Sequence, residues 1–151
     1  MTRSVEVCIQ DLPLKKPFQI THGVRTVTRV IDLEIRQGSW IGRGASVPYP
    51  RYGESPELVL SQILEVKDDL ESGLTIEDLQ SRLSAGAARN AIDCALWEIR
   101  CLEEQKSLFH LLGLPDKPFD LLDMAYTIGV GAPVQMAEEA EGVKNDLLKI
   151  K

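Results

Sequence analysis

In Arg29-Val30-Ile31-Asp32-Leu33-Glu34-Ile35-Arg36, the apolar Ile31, Leu33 and Ile35 alternate with Asp32, Glu34 and Arg36. That period of two puts the apolar side chains on one face of a half-buried strand. The same alternation occurs upstream in residues 4–10, through Val5, Val7 and Ile9, and predicts an antiparallel partner. Downstream, Gln37-Gly38 signals a turn, and residues 40–47 supply a third strand interrupted by Gly42 and Gly44. The three strands read as a small meander. Between the first two, residues 17–28 read as a loop longer than a hairpin requires, carrying Thr21, His22, Gly23 and Arg25. Loops of that length are often functional.

A second loop follows in Pro48-Tyr49-Pro50-Arg51-Tyr52-Gly53-Glu54, where two prolines and a glycine restrict the backbone while two aromatics and an arginine project from it. Ser55 then caps a helix with Pro56 at its first position, and Val59, Ile63, Val66 and Leu70 mark one buried stripe that Gly73 ends. Thr75 opens a shorter helix with Asp78 placed to return the capping contact. A third helix is predicted over 87–103, its apolar set Ala88, Ala91, Ile92, Ala95, Leu96, Ile99 and Leu102 following the three-four spacing. Helices on one antiparallel sheet make an α+β domain, here residues 1–115, ending at Gly113-Leu114-Pro115.

From residue 116 the pattern changes. Residues 124–130 read as a strand, 133–144 as a helix exposing Glu138, Glu139 and Glu141, and 147–151 as another strand. Strand, helix, strand is the repeating unit of a parallel α/β structure. A parallel sheet needs both faces covered, so residues 116–151 read as the incomplete start of a larger barrel.

Composition narrows the functional classes. With 151 residues, 44% hydrophobic and 26% charged, the chain can bury a sizeable core. A net charge of −6 with 17 dispersed basic residues gives no footprint for a phosphate backbone, and no apolar run is long enough for a bilayer. A cytoplasmic protein without nucleic-acid or membrane partners is expected. Cys8, Cys94 and Cys101 form no Cys-x-x-Cys pair, which predicts free, mostly buried thiols, and His22 and His110 make no metal pattern.

The chemistry concentrates in Lys149-Ile150-Lys151. Strand alternation places both lysines on one face. Two like charges on a partly buried face push at least one ammonium towards the neutral amine, which is able to take a proton. On spacing alone two lysines at a chain end are more often a solvated surface pair. Glu138, Glu139 and Glu141 read as a water-facing helix surface, since adjacent carboxylates on a helix seldom hold magnesium.

Three stretches narrow the choice: Pro48-Tyr49-Pro50-Arg51-Tyr52-Gly53-Glu54-Ser55, Ala85-Gly86-Ala87-Ala88-Arg89-Asn90-Ala91-Ile92-Asp93-Cys94-Ala95-Leu96-Trp97, and Leu147-Leu148-Lys149-Ile150-Lys151. Through them the chain resembles the dipeptide epimerases, L-Ala-D/L-Glu epimerases among them, of the mandelate racemase and muconate lactonising branch of the enolase superfamily. The resemblance implies an α+β capping domain over a (β/α)8 barrel. It implies that Lys151 abstracts or returns the α-proton on one face of a dipeptide, with Lys149 near the substrate carboxylate and Thr127 in contact with the dipeptide. Two cap loops, carrying Thr21 and Arg25 and carrying Arg51 and Tyr52, would choose the substrate. Arg25 matches the arginine that pairs with a glutamyl carboxylate, a task suited to a guanidinium fork; Arg51 competes for the same task. The resemblance further implies a magnesium cofactor whose carboxylate ligands lie beyond Lys151, as does a second catalytic lysine, so that the 151 residues alone would be inactive.

Arg89, Asn90, Asp93 and Trp97 in the best-matching helix read as packing and hydrogen-bonding residues. The implied function is an isomerase of murein peptide metabolism acting on a small dipeptide, with homo-oligomerisation left open. Two alternatives stand beside it: a non-catalytic, stand-alone capping domain, or another member of the branch such as a muconate cycloisomerase or o-succinylbenzoate synthase.

Overall fold

The computed structural model describes residues 3–20, 23–115 and 122–151, with the side chains of 19 and 20 left aside. The chain divides into two compact units: residues 1–12 with 29–116, and 13–28 with 117–151.

The first unit is built on an antiparallel sheet ordered β1 (Arg3–Ile20), β2 (Gly23–Gln37), β3 (Trp40–Ser46). Ile31 pairs with Ser46 and Gln37 with Trp40 across the turn at Gly38, whose φ of 61° favours glycine. The alternation in β2 is realised fully: Ile31, Leu33 and Ile35 are buried, and Val5 of β1 joins them. Onto that face pack α1 (Pro56–Glu65), α2 (Lys67–Glu71), α3 (Ile76–Arg82) and α4 (Ala87–Glu104), contributing Val59, Ile63, Leu70, Leu79, Ala91, Ile92, Ala95 and Ile99. Helix α4 lies directly on the backbone of β3. A Cβ at Gly42 or Gly44 would collide with the carbonyl oxygens of Ala95 and Ala91, so small residues on both sides let strand and helix meet.

The predicted caps are present. Ser55 Oγ accepts from the Leu58 amide at 3.1 Å, and Thr75 Oγ1 accepts from the Asp78 amide at 3.1 Å while donating to Asp78 Oδ2 at 2.7 Å. Arg3 closes the unit at its edge, donating to Gln37 Oε1 at 2.6 Å and to the Leu74 carbonyl at 2.8 Å. A short α5 (Leu108–Leu111) follows α4.

Several expectations change. Residues 17–28, read as a loop, are largely strand: β1 runs to Ile20 and β2 begins at Gly23. Pro13 and Pro17 are tolerated because β1 is an edge strand, where a missing N–H breaks no ladder bond to a further neighbour. The stripe Val59 to Leu70 is carried by two helices, since the backbone breaks at Val66 with φ −104° and ψ 8°. Leu102 is 43% exposed at the last turn of α4 and leaves the core. The thiols are not buried: Cys8 lies on the outer face of β1, and Cys94 and Cys101 lie on the side of α4 turned away from the sheet, with Trp97, Leu108 and Leu112 in an apolar groove of about 530 Å³.

The second unit holds a β–α–β segment: β4 (Ala125–Ile128), α6 (Pro133–Gly142) and β5 (Leu147–Ile150), with β4 and β5 parallel. Tyr126 on β4 donates its hydroxyl to Glu139 Oε1 on α6 at 2.8 Å, and Asn145 Nδ2 donates to the Met124 carbonyl at 3.0 Å before β5 begins. Ile128 is buried, whereas Ile150 is 68% exposed. Among the described residues no helix is long and apolar enough to cross a membrane.

Candidate functional site

The parallel pairing decides which side chains of β4 and β5 stand together. Thr127 is the register partner of Lys149, and Ile128 that of Ile150. Paired residues in neighbouring strands project to the same side, so Thr127 and Lys149 share one face, on which Lys151 falls two residues on. The Lys151 amide donates to the Ile128 carbonyl at 3.2 Å, carrying the ladder to the last residue. Its side chain is exposed, and Nζ lies 5.1 Å from the centroid of the Phe18 ring on β1. Among the described residues neither lysine has a carboxylate within ion-pair distance.

A cavity of about 330 Å³ opens at the carboxyl end of β4, walled by Lys16 and Phe18 of β1, by Tyr126 and Thr127, by the Gly129 to Gly131 turn and by Glu139. The carboxyl ends of parallel strands are where ligands bind in β/α structures. Glu139 is engaged by Tyr126, whose phenol is held above its ordinary range by the hydrogen bond it donates to that carboxylate.

The other candidates are distributed. Arg25 stands on β2 within the second unit, half-buried and without an ion pair among the described residues. Thr21 and His22 lie outside the described residues. Arg51 and Tyr52 belong to the first unit, on a single 3-10 turn (Pro50–Tyr52), with Tyr52 77% exposed and its ring 6.0 Å from that of Tyr49.

Glu54, to which the sequence reading gave no role, holds that loop in place. Its Oε1 accepts from the Ala87 amide at 2.7 Å and its Oε2 from the Tyr49 amide at 3.2 Å, so one carboxylate caps α4 and ties the loop to it. The partners are 33 positions apart and no local pattern announces them. Beside them lies a cavity of about 480 Å³ lined by Ser46, Tyr49, Tyr52, Glu54 and Asn90, where Ser46 Oγ is buried with no hydrogen-bond partner among the described residues. Arg89 donates to the Leu83 carbonyl at 3.4 Å, and Trp97 carries the Arg100 guanidinium 5.2 Å from its ring centroid.

No group of three His, Cys, Asp or Glu side chains converges among the described residues. Magnesium prefers oxygen ligands in near-octahedral array, and the acids among the described residues do not supply that set.

Residues 2–113 match the model of the mandelate racemase / muconate lactonizing enzyme N-terminal domain. The chain is 44% identical over 156 residues to the L-Ala-D/L-Glu epimerase of Escherichia coli (strain K12), covering 99% of this chain and 47% of that protein. Among solved structures it is similar to an enolase family member from Agrobacterium tumefaciens with homology to dipeptide epimerases, bound to sodium and L-Ala-L-Glu (40% identity, TM-score 0.87, covering 99% of this chain and 45% of that one). The dipeptide epimerase of Methylococcus capsulatus, complexed with Mg and L-Arg-D-Lys, superposes with a TM-score of 0.81 at 25% identity, covering 99% of this chain and 46% of that one. The chain thus spans under half the length of the curated relatives it matches. Its architecture is that of their front half: the α+β sheet-and-helix domain, then the start of the barrel.

Proposed function

We propose that this chain, which belongs to the mandelate racemase / muconate lactonizing enzyme family, forms the capping domain and lysine strand of an enzyme that epimerises an L-Ala-D/L-Glu-like dipeptide. Residues 1–115 are the cap and 116–151 open the barrel. The observation that carries the reading is the β4–β5 register, which sets Thr127 beside Lys149 with Lys151 next on the same face.

Epimerisation removes the hydrogen of an α-carbon from one face and returns one to the other. The task for this strand is to hold an amine where it can take that proton and a cation where the carboxylate gathers charge. Lys151 Nζ takes or returns the proton. Lys149, beside the Thr127 hydroxyl, faces the substrate carboxylate, and the hydroxyl orients the dipeptide. Arg25 offers a planar fork to an acidic side chain at the second residue; Thr21, Arg51 and Tyr52 shape the cover over the substrate.

Magnesium, when bound, withdraws charge from the carboxylate. Its ligands come from outside the described residues. The exposed Ile150 supports this division, since a parallel strand pair needs further cover. The enzyme works in the cytoplasm on murein-derived peptides.

The test is to purify the protein from its own source and incubate it with L-Ala-D-Glu and magnesium. Appearance of L-Ala-L-Glu supports the reading. An enzyme that leaves L-Ala-D-Glu untouched while converting another carboxylate substrate would sink it.

A further inference from the structure

We propose that Phe18 is a positioning residue for Lys151, holding its amine at one station above the carboxyl end of the β4–β5 pair; this rests on Lys151 being the proton-transfer group. The Lys151 backbone is fixed by the hydrogen bond its amide donates to the Ile128 carbonyl at 3.2 Å, but its long side chain is exposed. Nζ lies 5.1 Å from the Phe18 ring centroid, inside the range of about 6 Å over which a ring face attracts an ammonium.

The other charged groups nearby do not do this work. Lys149 lies on the same face and repels Lys151. Lys16, two residues before Phe18 on β1, is also a cation. Glu139, which also lines the cavity, is taken by Tyr126. Among the described residues the ring is the partner Lys151 has. The ring is itself half-buried. The two residues belong to one compact unit, so β1 reaches the lysine strand through this contact.

Proton transfer requires the amine and the α-carbon to be aligned within a few tenths of an ångström of their reactive approach, and a flexible lysine spends little time there. The ring restricts where Nζ goes by its bulk when Lys151 is the neutral amine, and attracts it when it is the ammonium that returns the proton. Because epimerisation uses both faces of the α-carbon, a residue that positions Lys151 alone affects removal of the proton from one epimer and not from the other.

The experiment uses the whole natural protein carrying this sequence, in deuterated water, with initial α-deuterium incorporation followed separately from L-Ala-D-Glu and from L-Ala-L-Glu. Phe18→Leu keeps apolar bulk and removes the ring, Phe18→Met is a second such variant, and Phe18→Tyr keeps the ring. The expected result is a loss of about tenfold or more from one epimer in the Leu and Met variants, with less than about threefold from the other, and near wild-type rates in the Tyr variant. Equal losses from both epimers, no loss, or the same loss in the Tyr variant would overturn the proposal. If the wild-type protein exchanges neither epimer, the proton-transfer reading of Lys151 fails and this proposal with it.

Discussion

Thr127 and Lys149 are register partners in the parallel β4–β5 pair, so a hydroxyl and an ammonium separated by 22 positions in sequence come to stand side by side. With the Lys151 amide donating a hydrogen bond to the Ile128 carbonyl, the ladder sets the backbone spacing of Thr127, Lys149 and Lys151.

If Arg25 grips an acidic side chain, its loss should be selective. Arg25→Met is expected to lower kcat/KM for L-Ala-D-Glu by about 10- to 100-fold, the worth of a charged hydrogen-bonded pair, while changing a dipeptide with a neutral second residue by little. Steady-state kinetics on the two substrates checks this. Equal losses on both would move the recognition elsewhere, with Arg51 the next residue to test.

The double role of Glu54 makes it a stability residue of the first unit. Glu54→Ala leaves the Ala87 amide at the start of α4 unpaired and is expected to cost about 1–3 kcal/mol in urea unfolding. Glu54→Gln retains an acceptor oxygen and should lose less. A Glu54→Ala protein as stable as the wild type would show that the cap carries no energy.

Close packing of α4 on β3 leaves no room at Gly44. Gly44→Ala sets a methyl against the Ala91 carbonyl, backbone against backbone, and is expected to cost about 3 kcal/mol or more. Thermal unfolding or the soluble yield of the variant reads this directly.

Tyr126 gives a pH-dependent signal in the second unit. Its phenol, donating to Glu139, ionises above the ordinary value near 10. The raised value favours the protonated phenol in the fold, so the contact stabilises below that ordinary value and is lost as pH rises through the folded one. Subtracting the ultraviolet titration of Tyr126→Phe from that of the wild type isolates this group. In Glu139→Gln the same difference should move to lower pH.

The sequence made some of this legible because the physics was local. The period in Ile31, Leu33 and Ile35, the stripe through Ala91, Ala95 and Ile99, and the caps at Ser55 and Thr75 each depend on residues within a few positions, and each is found in place. What was not legible depends on distant partners. Pro17 and the lysines before it obscured the alternation of β1, and only its place at the sheet edge explains how the strand continues. The acceptors of the Tyr49 and Ala87 amides converge on Glu54 only after α4 has packed, and Phe18 meets Lys151 from the other end of the chain. Cys94 and Cys101 were expected inside from their type alone, whereas helix geometry turned them outwards.

The proposed proton transfer depends on one amine, that of Lys151, and α-proton exchange measures it most directly. With the whole protein in deuterated water, L-Ala-D-Glu should take up deuterium at its α-carbon and yield the other epimer. Lys151→Met should slow uptake from one epimer by about a thousandfold, the usual worth of a positioned general base. Undiminished exchange in Lys151→Met from both epimers would contradict the account.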